Sequence, residues 1–124
     1  MTEHSQERRQ YLRIETPLSV RIITKDNVVE QTQTKDISPI GIRCSIKQDS
    51  IKINDETELK ISIPDGLSAI HAKAKVVWKK KVSAESGMPY DIGCEFTRIE
   101  EDNKNTFLKY FCDLLYKQKD SNTR

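Results

Sequence analysis

The sequence predicts a mainly β fold, a six-stranded antiparallel β-barrel with one C-terminal α-helix packed on it. Three observations support this fold class. Apolar and polar residues alternate with a period of two through much of residues 18–98, which is typical of strands with one buried face. After residue 98 the apolar residues recur every three or four positions, as they do along a helix. Short strands in a chain of 124 residues would leave exposed edges unless the sheet closed on itself, so a barrel is the economical arrangement.

The first two strands are predicted to form a hairpin. Leu18, Val20 and Ile22 alternate with polar or charged neighbours, and this pattern predicts the first strand. The Lys-Asp-Asn sequence at 25–27 is typical of a turn, and it leads into a second strand over residues 28–35. We therefore expect these two strands to lie side by side in the sheet.

Four more strands follow. Alternation over residues 42–46 and 59–63 predicts the third and the fourth. Residues 70–79 show the clearest pattern, because every second side chain is apolar and most of the others are lysine. After a Ser-Gly-Met-Pro loop at 86–89, residues 90–96 alternate again and predict the sixth strand. Each strand is expected to turn one face to the core and the other to water.

The chain is predicted to be helical over about residues 99–117. The apolar stripe of this helix consists of Phe107, Leu108, Phe111, Leu114 and Leu115. The Thr-Arg-Ile-Glu sequence at 97–100 has the form of a capping box at the helix start. The stripe is expected to cover an open side or end of the sheet. The polar segments 1–7 and 118–124 are expected to be disordered, which leaves a single domain over residues 8–117.

Composition argues against several classes of protein. Lys and Arg number 21 against 19 Asp and Glu, and a net charge of +2 is too small for a bulk DNA or RNA binder. No apolar run approaches the roughly 20 residues that cross a bilayer, and the N-terminal residues lack the apolar middle of a signal peptide. We therefore expect a cytoplasmic protein without membrane insertion. A single domain of this size is expected to act through a protein partner.

The cysteines predict neither disulfides nor a metal site. Cys44, Cys94 and Cys112 are odd in number and widely spaced, and the chain has two histidines, His4 and His71. Each cysteine has apolar neighbours at strand or helix spacing, so all three are expected to be buried, reduced thiols. We expect no metal and no cofactor.

Two short motifs carry the functional hypothesis. Arg9 and Arg13, separated by three residues, supply planar guanidinium groups that can grip phosphates or the O6/N7 edge of guanine. Asp36 can accept N–H bonds from a base, and the Ser38 hydroxyl can donate or accept. Gly41 would allow a ligand to approach the backbone closely. Together the two motifs predict a site for an anionic guanine nucleotide.

The predicted fold places these motifs on different parts of the chain. The arginines precede the first strand, on a segment that we expect to be mobile. Asp36, Ser38 and Gly41 are expected on the connection between the second and third strands, held still by the barrel. This arrangement suggests a mobile basic arm that closes on a fixed polar loop.

At this point the sequence resembles the PilZ domain family, a bacterial receptor domain for cyclic di-GMP. The family signature R-x-x-x-R matches residues 9–13, and the signature [D/N]-x-S-x-x-G matches residues 36–41. Residues 74–78 are similar to the strand of the family that ends in tryptophan, and residues 90–96 are similar to its closing G-x-x-F strand. The resemblance covers residues 7–117.

The resemblance implies a role for each matched residue. Arg9 and Arg13 would contact guanine edges and phosphates and would stack on the bases. Asp36 and Ser38 would form hydrogen bonds with a guanine, and Gly41 would admit the base close to the backbone.

The resemblance also implies more peripheral features. Arg8 directly precedes the first motif, and in the family an arginine there accompanies binding of two mutually stacked ligand molecules. Trp78 is a secondary candidate for ligand contact, although rim packing of the barrel is the preferred interpretation. The expected function is that of a stand-alone cyclic di-GMP effector whose N-terminal arm orders around the nucleotide and signals to an unidentified protein partner.

Other interpretations stay open. A solvated basic segment would explain the arginines alone, and an Asx or Ser turn would explain Asp36 and Ser38 alone. Gly93 is interpreted as a strand glycine at a bulge. As a whole the chain could be a PilZ-like interaction module that binds no nucleotide, or a small-barrel binder of single-stranded nucleic acid. An enzyme is the least favoured class, because the sequence shows no Ser/His/Asp, Cys/His or metal-ligand constellation.

Overall fold

The chain folds as seven strands followed by one helix. The computed structural model describes residues 12–64, 69–83 and 87–122. The strands are β1 (Ile14–Glu15), β2 (Ser19–Thr24), β3 (Val29–Ser38), β4 (Gly41–Ile46), β5 (Glu56–Ser62), β6 (Ala69–Lys81) and β7 (Tyr90–Ile99). The helix is α1 (Glu101–Asn122).

Six of the strands close into a barrel. Each pairs with two antiparallel neighbours, in the cyclic order β3, β2, β5, β6, β7, β4 and back to β3. The short strand β1 adds to β3 outside this cycle, with Ile14 opposite Ile37 and Glu15 opposite Asp36. The predicted six-stranded antiparallel barrel with a C-terminal helix is therefore confirmed, and β1 is one strand more than the sequence predicts.

The core consists of the side chains that point into the barrel. Members that are fully buried include Val20, Ile22, Ile37, Ile42, Ile61, Ile70, Val76 and Ile92. Burial of one such side chain stabilises the fold by about 1.5–3 kcal/mol. From the helix, Phe107 and Phe111 join this core, and the Phe107 ring meets Phe96 of β7 edge to face with centroids 5.4 Å apart. The helix thus packs its apolar stripe on the barrel, as predicted.

The helix begins and ends later than the sequence predicts. Strand β7 runs to Ile99, so Thr97 lies in a strand and the predicted capping box is wrong. The backbone amides of Asn103 and Lys104 instead donate to the Glu100 carbonyl oxygen. The helix ends at Asn122, so it reaches into the segment 118–124 that is predicted to be disordered. Within the described residues no helix is long and apolar enough to span a membrane.

The cysteines divide into two kinds. Cys44 and Cys94 are buried in the barrel core, as predicted. Burial raises the pKa of the Cys94 thiol to about 12 and raises that of Cys44 well above its ordinary value. Cys112 is exposed, so its predicted burial is wrong. The physical reason is helical geometry, because the residue directly after the buried Phe111 points away from the core stripe.

A β-bulge in β3 positions the polar motif. Thr34 pairs with Cys44 in the core, but the next pair along the ladder is Asp36 with Arg43, so Lys35 is an extra residue. The bulge interrupts the alternation and turns the Asp36 side chain to the outer face of the barrel. The sequence predicts that this strand ends at residue 35 and places Asp36 in a connection. That placement is wrong, because β3 continues to Ser38.

Candidate functional site on the outer face of the barrel

Four residues of adjacent strands form one lateral row on the outer face. Asp36 of β3 lies opposite Arg43 of β4, Arg43 lies opposite Gly93 of β7, and Gly93 lies opposite Trp78 of β6. Directly opposed residues of an antiparallel pair share a face of the sheet. We call these four residues the Asp36 row. Because all four belong to barrel strands, their backbones are fixed relative to one another.

The Asp36 carboxylate is held by two arginines. Its side chain is only 5% exposed. Arg13 Nη1 lies 3.0 Å from Oδ1, and Arg43 Nη2 lies 2.8 Å from Oδ2. The pairing of β1 with β3 brings residue 13 to this position, because Glu15 lies opposite Asp36. Each carboxylate oxygen therefore has one cationic partner, an arrangement that suits an ionised acceptor fixed in orientation.

Ser38 organises the turn that follows Asp36. The Ser38 side chain is buried, and its hydroxyl donates to the Gly41 carbonyl oxygen at 3.4 Å and accepts from the Ile40 amide at 3.3 Å. These contacts match the Ser-turn interpretation of the motif. The hydroxyl thus fixes the two-residue turn between β3 and β4.

Gly41 is required by the packing of the strands. It lies opposite Glu95 of β7, and a Cβ atom at residue 41 would collide with the Cys94 carbonyl oxygen. The close approach of β7 therefore requires glycine at this position whether or not a ligand binds. Any role in admitting a ligand would come in addition to this requirement.

Trp78 lies over the backbone of Gly93. A Cβ atom at residue 93 would collide with the indole of Trp78, so only glycine leaves the room that this ring needs. The bulge expected near Gly93 lies in the partner strand, where the register shifts between Val76 and Trp78. Trp78 is partly exposed and does not belong to the core cluster. An aromatic surface consequently lies at one end of the Asp36 row.

A second polar row runs beside the first. The Asp91 carboxylate accepts from Lys35 Nζ at 2.8 Å and from Ser45 Oγ at 2.7 Å, and Lys80 lies opposite Asp91. Burial disfavours ionisation of Asp91, but the hydrogen bonds from Lys35 and Ser45 outweigh it and hold the pKa of this carboxyl below its ordinary value. The fixed charges of the outer face thus extend beyond the Asp36 row.

The structure brings only part of the predicted site together. Arg13 and Asp36 are in contact, and Ser38 and Gly41 form the adjacent turn. Arg8 and Arg9 lie outside the described residues. No metal-binding cluster of His, Cys, Asp and Glu occurs in the part of the chain that the structure describes.

Arg43 is not among the residues that the sequence predicts for the site. This residue contributes one of the two ion pairs of Asp36, and its Nε–H is buried without a hydrogen-bond partner in the described residues. The available signal was its position two residues after Gly41, which places the two on the same face of one strand. That Arg43 lies opposite Asp36 could not be predicted, because the pairing register of β3 and β4 does not follow from the sequence.

A family model supplies the decisive comparison. The model of the PilZ domain matches residues 7–111. The chain belongs to the PilZ domain family. The suspected resemblance is thereby confirmed, and it includes both sequence motifs of the outer face. None of the curated proteins matches this PilZ domain.

Solved structures share the fold. The inhibitor of motility MotI/DgrA of Bacillus subtilis is 20% identical with a TM-score of 0.69, and the match covers 90% of this chain and 51% of that one. Apo MrkH of K. pneumonia is 20% identical with a TM-score of 0.74, over 91% and 53% of the two chains. The PilZ domain of YcgR from Escherichia coli with c-di-GMP is 12% identical with a TM-score of 0.71, over 94% and 98%.

These likenesses concern the architecture. At identities of 12% and 20% they show that the PilZ barrel and helix are common to the four proteins. This PilZ domain spans about half the length of the MotI and MrkH chains that it matches.

Proposed function

We propose that this PilZ domain is a receptor for cyclic di-GMP that binds the nucleotide over the Asp36 row. The observation that carries the proposal is the Asp36 carboxylate, which is nearly buried on a rigid strand and paired with guanidinium groups on both oxygens. A complete R-x-x-x-R motif precedes it in the chain. The YcgR domain and MrkH, which share the fold, have been solved as complexes with c-di-GMP.

Asp36 is the acceptor for guanine in this proposal. A carboxylate offers about four lone-pair sites, of which Arg13 and Arg43 use two here. Two sites are left for the N1–H and N2–H donors of a guanine. Arg13 is about half exposed, so it can leave Oδ1 for a phosphate of the ligand while Arg43 keeps its place on the barrel.

The remaining motif residues have supporting roles. Arg9, with Arg13, neutralises the phosphates and stacks on the bases. Arg8 adds a third cation, which favours a ligand that binds as a stacked pair. Ser38 and Gly41 shape the turn beside Asp36, and their contact with the ligand follows from the family motif.

Trp78 offers a stacking surface for the second base. Its ring lies over Gly93 and is partly exposed, so a planar base can approach it from solvent. This contact is the secondary one that the sequence suggested.

Signalling is proposed to pass through the N-terminal arm. Ligand binding would draw Arg8, Arg9 and Arg13 to the nucleotide and change the surface that this domain presents to a protein partner. When the ligand binds, Arg13 would leave Asp36 and pair with a phosphate. Because Arg13 belongs to the N-terminal arm, this change at the site would also change the arm.

Isothermal titration calorimetry tests the receptor function. Cyclic di-GMP should bind saturably, and GTP and cyclic di-AMP at the same concentrations should give no comparable heat. A stoichiometry of two nucleotides per chain would support the stacked pair, and a stoichiometry of one would exclude it. Absence of both heat and thermal stabilisation at high cyclic di-GMP would contradict the proposed function and favour the interaction module that binds no nucleotide.

A further inference from the structure

Arg43 has the geometry of a base-reading residue that no sequence motif includes. Its side chain is 38% exposed and extends along the outer face between Asp36 and Gly93. One of its terminal nitrogens, Nη2, lies 2.8 Å from Asp36 Oδ2 and forms an ion pair with that carboxylate. The guanidinium therefore lies directly beside the carboxylate, on a strand that cannot move away from it.

The pose of Arg43 leaves a donor unsatisfied. Its Nε–H is buried and has no partner in the described part of the chain. A buried donor without a partner is rare in folded proteins and costs free energy. Because Nε is buried and the side chain as a whole is 38% exposed, an acceptor on a ligand would reach the terminal nitrogens of the guanidinium.

The Asp36–Arg43 pair complements the edge of guanine. Along its Watson–Crick edge guanine presents two donors, N2–H and N1–H, and then the acceptor O6. A carboxylate next to a guanidinium presents acceptors and then donors in the matching order. Adenine presents an acceptor at N1 and a donor at N6, so it would leave both protein groups mismatched.

We propose that Arg43 is a specificity-determining residue of the nucleotide site and donates to O6 of the guanine whose N1–H and N2–H are bound by Asp36. This inference rests on the proposed cyclic di-GMP receptor function and adds the group that distinguishes guanine from adenine. Arg13 and Arg43 then have different roles in binding. Arg13 moves to a phosphate, and Arg43 stays on the barrel and reads the base.

Calorimetry on Arg43 variants tests the proposal. Arg43→Ala should weaken cyclic di-GMP binding at least tenfold, and cyclic di-AMP should give no comparable heat with either protein. Arg43→Lys should recover part of the loss, because an ammonium can reach O6 or Asp36 but lacks the fork to serve both. Arg98→Ala, an exposed arginine outside the Asp36 row, is the matched control and should bind as the wild type does.

A ligand analogue separates direct contact from mere positioning of Asp36. Replacing both guanines by 6-thioguanine keeps N1–H and N2–H but turns O6 into a weak sulfur acceptor. The wild type should lose affinity for this analogue, and Arg43→Ala should lose little more, because both changes remove the same hydrogen bond. If the two losses of affinity multiply instead, Arg43 acts only by positioning Asp36, and the proposal is overturned.

Folding and function can be told apart in the same series. Circular dichroism and thermal unfolding check that the variants fold, and Arg43→Lys keeps the charge partner of Asp36 if Arg43→Ala does not fold. If the wild type binds cyclic di-GMP and the folded Arg43 variants bind it equally well, the assignment of Arg43 alone is wrong. If the wild type does not bind, the receptor function and this inference both fail.

Discussion

Two outer faces of the barrel carry charge, and they arrange it differently. On the face around the Asp36 row two carboxylates, those of Asp36 and Asp91, are fixed by partners. Asp36 is shared by Arg13 and Arg43, and Asp91 is bound by Lys35. The side chains of Asp36 and Asp91 are only 5% and 9% exposed, so both carboxylates are held in place while their cationic partners reach solvent.

The face formed by β2, β5 and β6 has cations without such partners. Arg21 lies directly opposite Lys60, and Lys60 lies opposite His71; we call these three the cationic row. Neither Arg21 nor Lys60 forms an ion pair within the described residues, and all three side chains are exposed. Like charges in directly opposed positions are mildly unfavourable. The two faces therefore differ in kind, because the Asp36 row holds a fixed acceptor on a rigid strand and the cationic row holds exposed positive charge.

The largest expected difference between the faces comes from removing a carboxylate. Asp36→Ala should abolish cyclic di-GMP binding and lower the free energy of unfolding by about 1–3 kcal/mol, because Arg43 loses the partner of a nearly buried ion pair. Glu58→Ala, beside the cationic row, is the matched control and should change neither quantity measurably. Urea unfolding and calorimetry measure both. Equal effects of the two substitutions would remove the distinction between the faces.

Removing an arginine should separate binding from stability. Arg13→Ala should weaken cyclic di-GMP binding by roughly 10- to 100-fold, the range for a charge-assisted hydrogen bond. The free energy of unfolding should change by less than about 1 kcal/mol, because Asp36 keeps Arg43. Arg21→Ala should leave the affinity unchanged. A folded Arg13→Ala protein with undiminished affinity would remove Arg13 from the site.

Trp78 offers a test of the aromatic end of the Asp36 row. Trp78→Leu keeps an apolar side chain over Gly93 but removes the flat aromatic surface. We expect a loss of about 1 kcal/mol in binding free energy, or about fivefold, the lower end for stacking of one base. An affinity within twofold of the wild type, measured by calorimetry, would show that the ring serves packing alone.

The smallest expected effect concerns pH and the second polar row. The pKa of Asp91 is lowered in the folded protein, so its ionised form stabilises the fold above its unfolded value of about 3.9. That contribution is lost as pH falls through the folded pKa. The difference in free energy of unfolding between wild type and Asp91→Asn should stay constant from pH 7 to about 5 and shrink below about pH 4. A difference that grew in acid would contradict the assigned ion pair.

The strands were predictable because their cause is local. Every second residue of β6 from Ile70 to Val76 is buried, and the same alternation identified β2, β4, β5 and most of β7. The helix was predictable from its apolar period, but its start was not. Thr97 looked like a cap because the sequence does not show that β7 continues to Ile99.

The site was less predictable because its contacts are set by register. The bulge at Lys35 turns the Asp36 side chain outward, and the alternation of apolar and polar residues does not predict this bulge. Arg43 meets Asp36 only through the pairing of β3 with β4. The motif therefore supplied Arg13 and Asp36, and the structure supplied their third partner.

The proposed site places cyclic di-GMP over the Asp36 row. NMR of the ¹⁵N-labelled chain during titration with cyclic di-GMP tests this placement, because the chain's single tryptophan, Trp78, gives one indole resonance to follow. We predict saturable shifts of this resonance and of the Arg43 and Gly93 amides, with the amides of Lys60 and His71 unmoved. Shifts centred on the cationic row, with the Asp36 row unchanged, would contradict the proposed site.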